Sequence, residues 1–284
     1  MKKSVTIISV ILTVIIWLVF GITFIHLAKT KNPRYVEQDY RTETQQENVA
    51  DLSEKDTQKE DTDNLRETEL QSNSTMQETQ VEVPEEKTYT FTNAPEGYFE
   101  DALFIGDSRT VGISEYAKIE GASFFATSGM SVYNIKKEEV DFPEIGKIKL
   151  EELLSQKTYG KIYIMLGINE LGYKREVTVQ RYKEVLSLIQ SKQPNAIIFI
   201  QANLHVTKKL SANDEIYNNE NIDALNQEYA KLADNKTLFY IDVNPLFDDA
   251  EGNLAKENSS DNTHVYARCY KAWGEWIATQ AIVK

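Results

Sequence analysis

The sequence predicts an α/β domain built on a five-stranded parallel sheet, and three observations carry that reading. From about Tyr98 onward, short apolar runs of strand length alternate with segments whose apolar residues recur every three or four positions. Strand and helix in repetition imply a parallel sheet covered by helices on both faces. The residues best suited to chemistry fall just past the ends of those strands, where right-handed crossovers gather functional loops on one edge. The first run is Ala102–Ile105, followed by Gly106, which lets the backbone turn sharply as it leaves the strand, and by a helix expected to begin at Ser108. Further strands are expected at Ser123–Ala126, Lys161–Leu166, Ala196–Gln201 and Leu238–Val243. Helical spacing marks Thr178–Ser191 and Asn219–Ala233, and a similar pattern over Thr263–Ile282 closes the chain.

The first third reads differently. Val5–Leu27 is a 23-residue stretch without a charged side chain, long enough to cross a hydrocarbon core as a helix and longer than the apolar region of a cleaved signal. It predicts a retained single-pass anchor in the cell membrane, within residues 1–30. Lys2 and Lys3 on one flank against Lys29, Lys31 and Arg34 on the other leave the positive-inside count undecided. A short tail before one apolar segment and a large domain is the arrangement of a signal anchor, so the domain is expected on the extracytoplasmic side.

Residues 31–97 are expected to be a disordered acidic linker, and residues 98–284 the folded domain. Glu37–Lys87 carries 16 acidic and 5 basic side chains and almost no aromatics, too little apolar surface to order itself. The whole chain has a formal charge of −13, of which this stretch holds −11. The acidity therefore belongs to the spacer, and it gives no support for nucleic-acid binding. The single cysteine, Cys269, excludes an internal disulfide.

Phe104-Ile-Gly-Asp-Ser-Arg109 places Ser108 on the first turn of a helix, where free backbone N–H groups favour developing negative charge. Gly129 follows the second strand and Asn169 the third, while Asp261 and His264 lie between the fifth strand and the last helix. A serine hydroxyl needs a base to become a nucleophile, and an attacked carbonyl needs donors aimed at its oxyanion. Ser108 would attack, His264 would take its proton, and Asp261 would hold the imidazole tautomer. The backbone N–H groups of Ser108 and Gly129, with the Asn169 amide, would form the oxyanion hole. Activity should then rise as His264 gives up its proton.

With Gly-Asp-Ser, Gly-Ile-Asn and Asp261-Asn-Thr-His264 in this order, the chain resembles the SGNH, or GDSL, hydrolase family over roughly Asp101 to Ala281. The four name residues correspond to Ser108, Gly129, Asn169 and His264. The resemblance implies a flavodoxin-like three-layer α/β/α sandwich and ester hydrolysis or acyl transfer, with no metal and no organic cofactor. It also implies, for a membrane-tethered member, acylated carbohydrate of the cell wall or surface as substrate. Two positions depart from the family pattern, Arg109 in place of Leu and Glu170 in place of Asp, and both border the site in sequence.

Each of these residues has a plainer reading. Ser108 and Asn169 can serve as helix-start residues, and Asp107 is expected to brace the turn rather than act as a base. Arg109 can meet an anionic substrate or be an ordinary exposed charge on a first turn. Glu170 can tune substrate choice. His205 follows the fourth strand and can approach a cleft or be a satisfied structural histidine. Three histidines, one of them His26 within the apolar segment, make a dedicated metal cluster improbable. Tyr116, Tyr133 and Tyr173 can line a sugar groove or simply pack by their rings. The functional candidates are an esterase removing short acyl groups, an acyltransferase using the same acyl-enzyme, and a non-catalytic scaffold that kept the fold.

Overall fold

The structure is a computed structural model in which residues 89–283 are described. The expected membrane segment Val5–Leu27 and the acidic stretch Glu37–Lys87 lie outside them. Among the described residues no helix is long and apolar enough to cross a membrane.

Among the described residues the first elements are β1 (Ala102–Gly106), α1 (Ser108–Tyr116) and β2 (Ser123–Ala126). A hairpin follows, β3 (Glu139–Phe142) and β4 (Gly146–Lys149), then α2 (Leu150–Gln156), β5 (Lys161–Met165) and a 3-10 turn at Ile168–Glu170. The second half runs α3 (Arg175–Lys192), β6 (Ile197–Gln201), α4 (Lys208–Ser211), α5 (Asn219–Ala230) and β7 (Leu238–Ile241). It ends with α6 (Asn244–Phe247), a 3-10 turn at Lys256–Asn258, and α7 (Ala267–Ala278). The five expected strands all form, in the order β2-β1-β5-β6-β7 and parallel throughout. Leaving the hairpin aside, this is the doubly wound order with ligand sites outside the carboxyl ends of the strands.

A row of aromatic rings fixes the register. Phe124, Phe104, Tyr163, Phe199 and Phe239 are paired neighbours, one from each strand. Their centroids lie 5.1, 4.4, 4.4 and 6.0 Å apart, the first three pairs stacked. Each such pair contributes about 0.5–1.5 kcal/mol beyond the area it buries. A slip by one residue would turn the whole row to the other face. That face carries Ile113 of α1 and Tyr270, Trp273 and Ile277 of α7. The opposite face takes Leu103, Ile105, Ile162, Ile164, Ile198 and Ile200 against α2, α3 and α5. The expected two-faced covering is therefore present.

Three features differ from the sequence reading. The β3–β4 hairpin was not expected, because its four-residue strands are too short for a period-two pattern to declare itself. Val140, Phe142 and Ile148 nevertheless join the core. The last helix is shorter than Thr263–Ile282, since residues 261–266 are held in a loop and Ala281 pairs with Thr92. Finally, the folded unit begins before Tyr98. Tyr89 and Phe91 pack their rings on Phe239, and Thr92 and Ala281 exchange both backbone hydrogen bonds.

Gly106 plays a part other than the expected one. Its φ is not positive; what requires glycine is proximity, because a Cβ there would lie 2.6 Å from the Met165 carbonyl oxygen on β5 and 2.1 Å from Thr110 Oγ1. Backbone on a paired strand cannot withdraw cheaply. Gly106→Ala should therefore destabilise the domain by about 1–3 kcal/mol, the usual penalty of overpacking. Urea denaturation would measure it, and an unchanged midpoint would refute the packing argument.

Candidate active site

Ser108 sits at the first position of α1, immediately beyond β1. Asp107 caps the helix: its Oδ1 accepts the Arg109 N–H at 2.9 Å. The expected bracing role of Asp107 is thus seen, and it extends to an ion pair. Arg109 Nε donates to Asp107 Oδ1 at 3.1 Å and Nη2 to Oδ2 at 2.5 Å, with both side chains essentially without solvent contact. Arg109 Nη2 also reaches Asn203 Oδ1, at 3.3 Å, beyond the end of β6.

Neither sequence reading of Arg109 holds, because its guanidinium points into the protein and clamps the β1–α1 turn to the segment that follows β6. Such a pair is costly to desolvate but strongly resists loss of one partner, which would leave a buried charge.

The loop before α7 brings His264 back to Ser108. Ser108 Oγ and His264 Nε2 are 2.8 Å apart, and His264 Nδ1 is 2.8 Å from Asp261 Oδ2. The other carboxylate oxygen of Asp261 accepts the backbone N–H groups of Thr263, at 2.9 Å, and His264, at 2.8 Å, and the Ser259 hydroxyl at 3.2 Å. Partial burial works against the charged carboxylate, but these N–H groups and the imidazole outweigh it and pull Asp261 down to about 2. Asp261 is therefore anionic wherever the imidazole titrates. It holds Nδ1–H and leaves Nε2 as the acceptor facing the serine.

The loop has its own supports. Asn262 takes a left-handed φ of 72°, Ser259 bridges Val265, and Thr207 donates to the Asn262 carbonyl and side chain, each at 2.9 Å.

Gly129 lies in a Thr127–Met130 turn closed by Met130 N–H donating to the Thr127 carbonyl. Its φ of 79° at the third position is what such a turn reserves for glycine. Thr127 N–H donates to the Gly106 carbonyl, which sets this turn beside the Ser108 turn. Asn169 lies in the 3-10 turn beyond β5, half-buried, and its Nδ2 donates to Met130 O at 2.9 Å. One amide hydrogen is thus spent on the Gly129 turn and one remains.

Of the other sequence candidates, Glu170 and His205 lie inside the protein, Tyr133 and Tyr173 are half-buried and Tyr116 is exposed. Glu170 is 1% exposed and its Oε1 accepts the Val132 N–H at 2.7 Å. His205 is buried between two carboxylates, Nδ1 at 2.7 Å from Asp248 and Nε2 at 2.8 Å from Asp223. Burial disfavours the charged ring, but Asp248 and then Asp223 outweigh it and raise the imidazole to about 9. Of its two sequence readings the structural one holds. Tyr133 and Tyr173 stack on each other, centroids 4.2 Å apart, and Tyr116 packs against Tyr270.

Sequence reasoning missed the asparagines that fasten the strand ends: Asn203 exchanges hydrogen bonds with Asn226, and Asn244 donates to the Asn203 carbonyl. Their one signal is position, since Asn203 follows β6 and Asn244 follows β7.

Residues 104–272, more than half of the chain, match the GDSL-like Lipase/Acylhydrolase family. The chain belongs to this family. As a member it is an esterase or acylhydrolase. Solved structures similar to it include a GDSL-like lipase from Bacteroides thetaiotaomicron, 15% identical with a TM-score of 0.49, over 65% of this chain and 88% of that one. Another is a family two carbohydrate esterase from Clostridium thermocellum, 13% identical with a TM-score of 0.44, over 62% and 61%. No curated protein matches the sequence.

The His205 cluster yields a stability prediction. Its folded value lies above the ordinary 6.5, so its contribution is complete below that value and is lost as pH rises through about 9. Wild type should be more resistant to urea at about pH 6 than at about pH 10, and His205→Gln should flatten part of that difference. A variant with the wild-type pH slope would show that the two carboxylates do not hold a charged ring.

Proposed function

We propose that this family member is a serine esterase that removes short acyl groups, O-acetyl foremost, from cell-wall or surface carbohydrate. The observation that carries the mechanism is the line Ser108 Oγ, His264 imidazole, Asp261 carboxylate, with both links at 2.8 Å. Ser108 Oγ attacks the acyl carbon as its proton passes to His264 Nε2. The carbonyl oxygen becomes an oxyanion, received by the Ser108 and Gly129 N–H groups and the remaining Asn169 amide hydrogen. Collapse breaks the ester C–O bond, and the departing sugar oxygen takes the proton from Nε2 and leaves as a hydroxyl. Water then attacks the acyl-enzyme with the same base, releasing the acid and restoring Ser108.

Exposure supports the choice of substrate and acceptor. The His264 and Asp261 side chains are 41% and 54% exposed, which suits an ester displayed on a large molecule rather than one swallowed whole. A site so open to water favours hydrolysis over transfer, which depends on excluding water from the acyl-enzyme. The apolar segment Val5–Leu27 supports a membrane tether with the domain on the extracytoplasmic side. The acidic stretch behind it supports a self-repelling spacer that lets the site range over a polymer.

The test is turnover of a chromogenic acetyl ester by the full-length chain. Ser108→Ala and His264→Ala should each lose on the order of 10⁴-fold or more in kcat. Asp261→Asn should lose about 10⁴-fold through the wrong imidazole tautomer. A fluorophosphonate should label wild type and leave Ser108→Ala unmodified. Full activity in Ser108→Ala would end the serine mechanism, and acetyl appearing on an added glycan instead of as free acetate would make the enzyme a transferase.

A further inference from the structure

The two loops assigned to the oxyanion hole touch each other at three levels without help from Ser108 or His264. Asn169 Nδ2 donates to the Met130 carbonyl at 2.9 Å. Val132 N–H donates to Glu170 Oε1 at 2.7 Å. Tyr133 stacks on Tyr173, and its hydroxyl is 3.1 Å from Thr178 Oγ1 at the start of α3. Gly129 and Asn169 are each within three residues of this seam, so any slackness in it moves both donors relative to Ser108.

The middle contact is the unusual one. A carboxyl side chain at 1% exposure is expensive to place, and nothing about packing alone calls for it. Glu170 Oε1 accepts the Val132 N–H, the Gly167 N–H at the start of its own turn also lies near the carboxyl, and Oε2 has no hydrogen-bond partner. The groups that face it are the Asp107–Arg109 pair from the β1–α1 turn, Tyr182 of α3, Tyr229 of α5, and Tyr217 before α5.

We propose that Glu170 is the positioning residue of the oxyanion hole: by holding the Val132 amide it locks the Gly129 turn to the Asn169 loop, so that both donors meet the oxyanion at one fixed spacing. The proposal rests on the serine-esterase reading above. Burial, then the nearby Asp107 carboxylate, act against ionisation, and the Val132 N–H, Arg109 and the Gly167 N–H act for it, leaving Glu170 raised to about 8. At neutral pH the seam is therefore held by an uncharged carboxyl, with Oε1 free to accept. Ionisation at higher pH would set a negative charge behind the place where the oxyanion forms, which opposes catalysis.

Three full-length proteins decide it on the chromogenic acetyl ester: wild type, Glu170→Gln, which keeps the acceptor, and Glu170→Met, which keeps length without one. Glu170→Met should lose about 10²-fold in kcat with KM little changed, the scale of a misplaced catalytic geometry. Glu170→Gln should recover most of that loss. Wild type should lose kcat as pH rises through about 8, and Glu170→Gln should remove that fall. A merely structural role would lower the melting temperature without separating kcat from KM and without rescue by glutamine.

A folded Glu170→Met with wild-type kcat overturns the proposal, as does a Glu170→Gln no faster than Glu170→Met. If Glu170→Met fails to fold, the pH profile of Glu170→Gln decides, and an alkaline fall identical to wild type overturns it. Ser108→Ala run alongside separates the two readings: its inactivity with an unaffected Glu170→Met removes only the positioning role, whereas its full activity removes the esterase mechanism itself.

Discussion

Everything at the site depends on the parallel register of five strands. Ser108, Gly129 and Asn169 each lie within a few positions of a strand end, so a shift of one residue in any pairing would move them by more than a hydrogen bond can span. The row Phe124, Phe104, Tyr163, Phe199 and Phe239 makes such a shift expensive, because every ring is paired with a ring at the same height. The aliphatic alternates Leu103, Ile105, Ile164 and Ile200 do the same on the other face with less directionality. Registry thus becomes site geometry: rings at the middle of the strands determine where Ser108, Gly129 and Asn169 stand beyond their carboxyl ends.

Above the sheet the edge is held by polar contacts, which act where rings cannot reach. The Asp107–Arg109 pair, extended to Asn203, ties the end of β1 to the end of β6, and Asn244 ties β6 to the loop after β7. Thr207 carries the chain of contacts to Asn262, one residue from Asp261. The loop holding the base is therefore referenced to the same strand ends as the nucleophile. The 2.8 Å contact between them is the closing member of a braced frame rather than an isolated meeting of two side chains.

Much of this was legible in the sequence, for reasons that can be named. The strands could be read because each is a short, mostly apolar run, and the three central ones are buried almost throughout. Ser108, Asn169, Asp261 and His264 could be placed because strand ends of a parallel sheet share one edge. What could not be read is direction. In sequence Arg109 can pass for a surface charge on a first turn and Glu170 for a residue bordering the substrate, and only the neighbours contributed by distant segments, Asn203 and Val132, show them turned inward. The β3–β4 hairpin escaped notice because two four-residue strands carry too little pattern, and the true start of the folded unit because Tyr89 and Phe91 find their partner ring some 150 positions later, at Phe239.

The pairing of Thr92 with Ala281 has a mechanical consequence. The helix α7 starts beside His264 and runs away from the site, so its end, and with it this clasp, lies at the opposite edge of the sheet. Tyr98 closes the same clasp, donating its hydroxyl to the Ile282 carbonyl and accepting the Ile282 N–H. A pull transmitted along the preceding chain would be met there, by bonds loaded in shear between the two ends of the domain. It would be relieved before it reached Ser108. Tension on the residues just before Thr92 would load this clasp and leave the edge that carries Ser108 unbent.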